Sequence, residues 1–168
     1  MNGMLMKIRK AALNDLPRLM EIYAYARRFM ASTGNAHQWI DGYPSERLIR
    51  QDIVAGHCHV CVGNEGKTVG VFCFIEGEDA NYAHIENGMW LNDQPYGTIH
   101  RLATSGEERG IADACFRWCM ERCPNIRVDT HRDNHILQHI LQKYGFTYCG
   151  VIYVANGTPR LAFQRFSL

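Results

Sequence analysis

Between Gly97 and His131 the hydrophobic pattern changes period twice. "GTIHRLAT" (Gly97–Thr104) is β-rich, "SGEERGIADACFRW" (Ser105–Trp118) opens with a glycine-punctuated turn and continues at helical spacing, and "NIRVDTH" (Asn125–His131) is again a strand. A strand–helix–strand unit from Thr98 to His131 is expected to hold a parallel pair joined by a right-handed crossover. It also sets a helix N-terminus beside a strand end. The first backbone N–H groups of a helix have no internal partners, so an anion can sit there. The same turn has a second use: Glu107 and Glu108 complement the helix dipole, with Gly106 and Gly110 shaping the chain.

The flanking elements decide what surrounds this unit. Met6–Lys10 reads as a short strand, followed by a helix capped by Asn14 or Asp15 and running to about Met30, with Leu16, Leu19, Ile22, Tyr23, Ala26 and Phe29 at helical spacing. A long loop carrying Trp39 and Tyr43 leads to a second helix from Ser45 to near Gly56. "HCHVCVG" and "TVGVFCFIEGE" are strands joined by "NEGK", a hairpin signature. A short strand is expected at the start of "YAHIENGMWLNDQPYG". The central unit follows, with its helix spanning Arg109 to Arg122. Asp133 or Asn134 then caps "HILQHILQKY", and Gly145 ends it at C′. "FTYCGVIYV" and "RLAFQRF" close the chain as a hairpin around Asn156-Gly157. The expected fold is α+β, close to α/β: a single domain over 1–168, with a mixed, mostly antiparallel sheet, one parallel pair and helices on both faces.

Composition narrows the functional classes. With 168 residues the chain is long enough for one domain with a real core. Its formal net charge is only +1, which gives no signature of nucleic acid or an anionic membrane as partner. No run approaches the ~18 apolar residues of a membrane span. "MNGMLMKIRK" has too short an apolar stretch for a signal peptide, so the expected location is cytoplasmic. The cysteines number seven, an odd count, and with no secretory signal they are expected to be reduced thiols. Cys115, Cys119 and Cys123 recur every four residues, so they spread along ~12 Å of helix axis and form a packing stripe in place of a metal site. His135 and His139 have no third ligand at useful spacing, and no metal is expected.

Two segments resemble the GNAT superfamily of N-acetyltransferases, and the likeness extends over almost the whole chain. "HRLATSGEERGIADACFRW" is similar to the family's strand and acyl-CoA pyrophosphate loop, whose signature is Gln or Arg, two residues, Gly, one residue, then Gly or Ala. Gly110 and Ala112 occupy the small-residue positions. "VDTHRDNHILQHILQKYGF" is similar to the next strand and helix, matching at Asn134, Lys143, Gly145 and Phe146. Two positions depart from the pattern. Glu107 stands where the family prefers a Gln or Arg donor, and Leu141 stands where many members carry a catalytic Tyr; Tyr144, three residues on, points elsewhere on the helix.

The resemblance implies acetyl-CoA as cosubstrate and a primary amine, of a small molecule or peptide, as acceptor. Glu108, Arg109, Gly110, Ile111 and Ala112 would hold the pyrophosphate, with the Glu107 and Glu108 side chains turned to solvent. Leu102, Ala103 and Thr104 would offer backbone groups to pantetheine and the thioester, and Asn134 and Lys143 complete the coenzyme set. Asn134 equally serves as a plain helix cap. A group that takes a proton near neutral pH suits amine acylation, and His100 is one candidate, Glu86 on the preceding strand the other. His100 has an equal alternative as a sheet histidine bonded to a carbonyl. Trp39, Tyr43, Glu86 and Trp90 are candidates for the acceptor pocket, the aromatics having ordinary packing as their alternative. A competing reading is an acyl-CoA-binding module without catalysis, prompted by Leu141 and Glu107. A nucleotide-binding protein does not fit, since no Lys-Ser/Thr pair follows the glycine turn. A homodimer is compatible with all of this.

Overall fold

The computed structural model describes residues 6–167. Along the chain, β1 (Lys7–Lys10), α1 (Leu16–Ser32) and α2 (Glu46–Val54) precede the strands β2 (Cys58–Val62), β3 (Thr68–Glu76) and β4 (Gly97–Thr104). Then come α3 (Ile111–Arg122), β5 (Asn125–Thr130), α4 (His135–Lys143), β6 (Thr147–Tyr153) and β7 (Pro159–Phe166). The seven strands lie in the order β1-β2-β3-β4-β5-β7-β6. β4 and β5 are parallel and the other neighbours antiparallel. This is the expected mixed sheet.

Apolar clusters on both faces hold the helices to it. α3 and α4 cover one face through Ile111, Cys115, Phe116, Cys119 and Leu141, against Phe72, Phe74, Ile99, Ile126 and Val128. α1 and α2 cover the other through Leu19, Ile22, Tyr23, Ile49 and Ile53, against Val60, Val71 and Ala103. The cysteine row is a packing stripe, with all three thiols buried. α4 ends in a full Schellman turn: Gly145 N–H bonds the Gln142 carbonyl (3.1 Å), Phe146 N–H bonds that of Leu141 (2.9 Å), and Gly145 takes φ +80°.

Local chemistry moved several expected boundaries. Asp15 does not cap α1, because its carboxylate accepts from Arg9 (2.9 and 3.0 Å) and from Ala12 N–H (2.7 Å). Of the two candidates before α4, Asn134 is the cap, accepting from Leu137 N–H at 3.1 Å. α3 starts at Ile111, two residues later than expected, since Gly110 holds a left-handed φ of +79° and no side chain caps the helix. The segment before β4 carries no sheet strand; it holds a 3-10 turn at Ala80–Tyr82 and a single bridge between Glu86 and Val151.

Two features of β4 open the sheet. Its parallel pairing with β5 covers only Gly97–Ile126 and Thr98–Arg127. Beyond Thr98 the strands part, and the edge of β4 that faces β5 has no strand partner. In addition β4 carries a bulge: Cys73 pairs with His100 but Val71 pairs with Ala103, and Arg101 takes φ +50°. One extra residue swaps the faces. Ile99 therefore packs on the α3/α4 side and Ala103 on the α1/α2 side, although simple alternation would place them together.

Candidate active site

The parted strands leave a cavity of about 770 Å³, which runs from the N-terminal end of α3 to the loop between α1 and α2. Its position follows from the topology: it lies at the C-terminal ends of the parallel pair, where open sheets with crossovers bind ligands.

One stretch of the wall is formed by Leu102, Ala103 and Thr104 of β4, with Gly106, Ala112 and Asn134 and with Leu137 and Ile140 of α4. α3 presents its first N–H groups here without a capping side chain. A Cβ placed on Gly110 would meet nothing within 4 Å, so the space before the helix is open. The two glutamates of the turn do not occupy it. Glu107 accepts from Arg18 and Lys67, both at 2.5 Å, and its hydrogen bonds to Lys67, then Arg18 and Ser105, pull its pKa down to about 2. Glu108 was expected to face solvent; it folds back over Gly63 and accepts from Asn64 N–H at 3.4 Å. Both charges are drawn toward the β2–β3 turn, and the acid of the first helical turn, Asp113, is engaged by Lys143 and Tyr144. Arg109 is exposed at the turn and the Ile111 side chain is buried in the core. Lys143 stands off the cavity wall, where it pairs with Asp113 at 2.8 Å and complements the C-terminal end of α4.

On the opposite side His100 projects from β4, and its Nε2 lies 2.9 Å from Asp79 Oδ2. Both side chains are about four-fifths buried. Asp79 is aimed by its own turn, since its other carboxylate oxygen accepts Asn81 N–H at 2.8 Å. Burial by itself would raise the Asp79 carboxyl. The His100 and Asn81 hydrogen bonds, with the charges of His100 and Arg101, outweigh burial and hold it below the usual carboxylate range. Nearby, Asp129 of β5 accepts from the Tyr82 hydroxyl at 2.5 Å, and burial pushes its pKa up more than that bond lowers it. His100 is thus not the sheet histidine bonded to a carbonyl. It is one half of an acid–base pair at the cavity wall.

Trp39 and Tyr43 line the same side, packed edge-on at 6.1 Å. Gln38, beside them, binds across the cleft: its Oε1 accepts from Asn134 Nδ2 (3.0 Å), Asn35 Nδ2 (3.0 Å) and Thr130 Oγ1 (3.2 Å). Asn134 therefore caps α4 and ties the loop to it at once.

Two candidates lie elsewhere. Trp90 is packing: its ring lies tilted against Tyr82 at 5.1 Å, donates to the Tyr82 carbonyl (3.0 Å) and carries the Arg127 guanidinium 4.1 Å from its ring centroid. Glu86 is exposed at its bridge to Val151 rather than on a strand beside β4. There His84, and then Tyr153, hold it in its charged form. Leu141 is fully buried, so no hydroxyl reaches the cleft from that position. The Tyr144 hydroxyl is taken by Asp113.

No protein-family model matches this sequence and no curated protein is significantly similar to it. Solved structures are. A GNAT-family acetyltransferase from Streptococcus agalactiae is 36% identical, with 97% of this chain and 96% of that chain covered and a TM-score of 0.88. One from Listeria monocytogenes is 20% identical over 96% and 95% of the two chains, with a TM-score of 0.73. A chain of the NatC complex, solved with Gag peptide and CoA, shares the fold at 15% identity, over 97% and 99% of the chains and a TM-score of 0.60. With more than a third of its residues shared along nearly the full length of the Streptococcus protein, this chain belongs to the GNAT family of acetyltransferases.

Proposed function

We propose that the protein moves the acetyl group of acetyl-CoA to the nitrogen of a primary amine. The observation that carries this reading is the parted β4–β5 pair. It lays a bulged strand edge without partners, an uncapped helix N-terminus and a His–Asp pair along one cavity. The residues present suit acetyl-CoA. The α3 N–H groups can take the pyrophosphate, and the free edge at Leu102–Thr104 can take the amide-bearing arm. The CoA in the NatC neighbour supports the same assignment.

The thioester supplies an activated carbonyl. Main-chain N–H groups on the β4 edge supply hydrogen bonds where negative charge develops on its oxygen. With Nε2–H given to Asp79, His100 keeps Nδ1 as its lone-pair nitrogen and takes the proton of the attacking amine, directly or through water. A C–N bond forms, the C–S bond breaks, and CoA leaves as a thiolate. Thiols of this kind have a pKa of ~8.5, so departure needs no acid from the protein, and a leucine at position 141 is tolerated.

The test is thiol release from acetyl-CoA across a panel of amines. Release that depends on the amine supports transfer; tight binding of acetyl-CoA with no release to any amine supports a binding module instead. Trp39 belongs to the acceptor side in this scheme, so Trp39→Ala is expected to raise the acceptor KM by about tenfold while acetyl-CoA affinity holds. Equal losses on both sides would make Trp39 a packing residue of the α1–α2 loop.

A further inference from the structure

Three basic side chains line the acceptor half of the cleft, and two of them already have carboxylate partners. His100 faces Asp79, and Arg101 forms a two-bond pair with Asp52 at 2.8 and 2.9 Å. Arg160, the first inward residue of β7, has no hydrogen-bonded anion among the described residues. Its guanidinium donates only to two main-chain carbonyls, that of Pro159 (3.1 Å) and that of Gln38 (2.9 Å). Yet the residue is 93% buried, at 7% exposure, and it lines the cavity. A guanidinium carries five N–H donors, and leaving its charge in a low-dielectric wall without an anion is costly.

Among the described residues, no neighbouring carboxylate reaches it as an ion pair. The sheet register sets Ala162 opposite Asp129, and Arg160 shares a face with Ala162, so Asp129 is the nearby carboxyl on this face. The Tyr82 hydroxyl donates to one oxygen of that carboxyl, and its charge acts on Arg160 from a distance without forming an ion pair. Arg160 is also prearranged. Its two carbonyl bonds fix the planar fork, which matches a carboxylate by two parallel hydrogen bonds. The pyrophosphate end of the cleft is at α3, beyond β4 and on the other face, so the anion that fits Arg160 is not the coenzyme's phosphate.

We infer that Arg160 receives a carboxylate borne by the acceptor, which makes the acceptor an amino carboxylate: an amino acid or a close derivative. Its ammonium would lie toward the Asp79–His100 pair, where the proton is removed, and its carboxylate toward Arg160. Trp39 and Tyr43 flank the space where the remainder sits. This inference rests on the acyl-transfer reading for its chemistry, but the binding of the carboxylate does not depend on turnover.

The experiment uses matched probes on the whole protein. Each standard L-amino acid is paired with its α-amide and offered with acetyl-CoA in the thiol-release assay, and the same pairs are titrated calorimetrically into CoA-saturated protein. The expected result is that at least one acid is preferred over its amide by about ten- to a hundredfold in kcat/KM and in affinity, the worth of a charge-assisted hydrogen-bond pair. Arg160→Gln should abolish that preference, and Arg160→Lys should retain part of it. A purely structural arginine would leave the acid-to-amide ratio unchanged whatever it did to folding or rate. Equal handling of acids and amides overturns the inference. If acids and amides are handled alike while succinyl-CoA replaces acetyl-CoA with an Arg160-dependent preference, the carboxylate belongs to the acyl group and the inference is again overturned. Acid-selective binding without thiol release would uphold the carboxylate site and refute acetyl transfer, so the two failures are distinct.

Discussion

Asp52→Ala is expected to lower the melting temperature by about 6–20 °C. Asp52 lies on α2 at 7% exposure, and its carboxylate makes both bonds of a bidentate pair with Arg101 on the β4 bulge. Burial works against the charged guanidinium, but Tyr43, Cys73 and Asp52 together more than offset it and keep Arg101 charged. Removing one partner of such a pair leaves a buried charge uncompensated, at a cost of about 3–5 kcal/mol. At this chain length each kcal/mol moves the melting point by roughly 2–4 °C. The damage should also reach the cleft, because Arg101 holds φ +50° and its carbonyl accepts from the Tyr23 hydroxyl at 2.8 Å. The pair and that bond together clamp the bulge between α1 and α2. Thermal unfolding followed by circular dichroism checks the claim. A shift under about 2 °C would mean that the pair does not hold the bulge. Replacing both partners by apolar residues should restore much of the loss, as buried pairs are commonly neutral against well-packed hydrophobic substitutes.

His100→Ala is expected to reduce kcat by about 10²–10⁴ at pH 7, the usual worth of a positioned general base. The defect should shrink toward pH 9, where more of the amine is already neutral and the step needs less help. Asp79 is the positioning residue in this scheme. Asp79→Asn removes the carboxylate that selects the Nε2–H tautomer, and should lower kcat with little change in the acetyl-CoA KM. Tyr144→Phe should be nearly silent in kcat, since that hydroxyl is held by Asp113. A pH–rate profile of His100→Ala parallel to the wild type would remove the histidine from proton transfer.

The parts of this architecture that depend on local rules could be read from the chain. The β4–α3–β5 unit, the closing hairpin at Asn156-Gly157, the Gly145 stop and the Asn134 cap each rest on a few adjacent residues whose backbone needs are specific. The candidate site was legible only where its cavity wall coincides with those rules: the turn before α3, the β4 strand and His100. What long-range packing decides was not. Asp79 is one acid in a loop until the 3-10 turn at Ala80–Tyr82 points it at His100. Arg160 is one of many basic residues until β7 inserts between β5 and β6 and buries it. The bulge at Arg101 lacks the glycine that usually marks a left-handed residue, so nothing in "HRLAT" announces it. Trp90 and Glu86 were credible as pocket residues by type. The structure gives Trp90 to the Arg127 stack and leaves Glu86 on the far side of an isolated bridge.

The central claim is that the parted strands and the uncapped α3 form the acetyl-CoA site, and a calorimetric titration of acetyl-CoA into the wild type and Gly110→Asp tests it most directly. Gly110 adopts φ +79°, which aspartate tolerates better than most residues, and its side chain would enter open space before the helix. There the carboxylate can accept from the same N–H groups that the pyrophosphate needs, so the variant should fold with an unchanged or raised melting point. The account predicts one acetyl-CoA bound per wild-type chain, and a loss of affinity on the order of tenfold or more in the folded variant. Equal affinity in the two proteins, or no binding to the wild type, would contradict it.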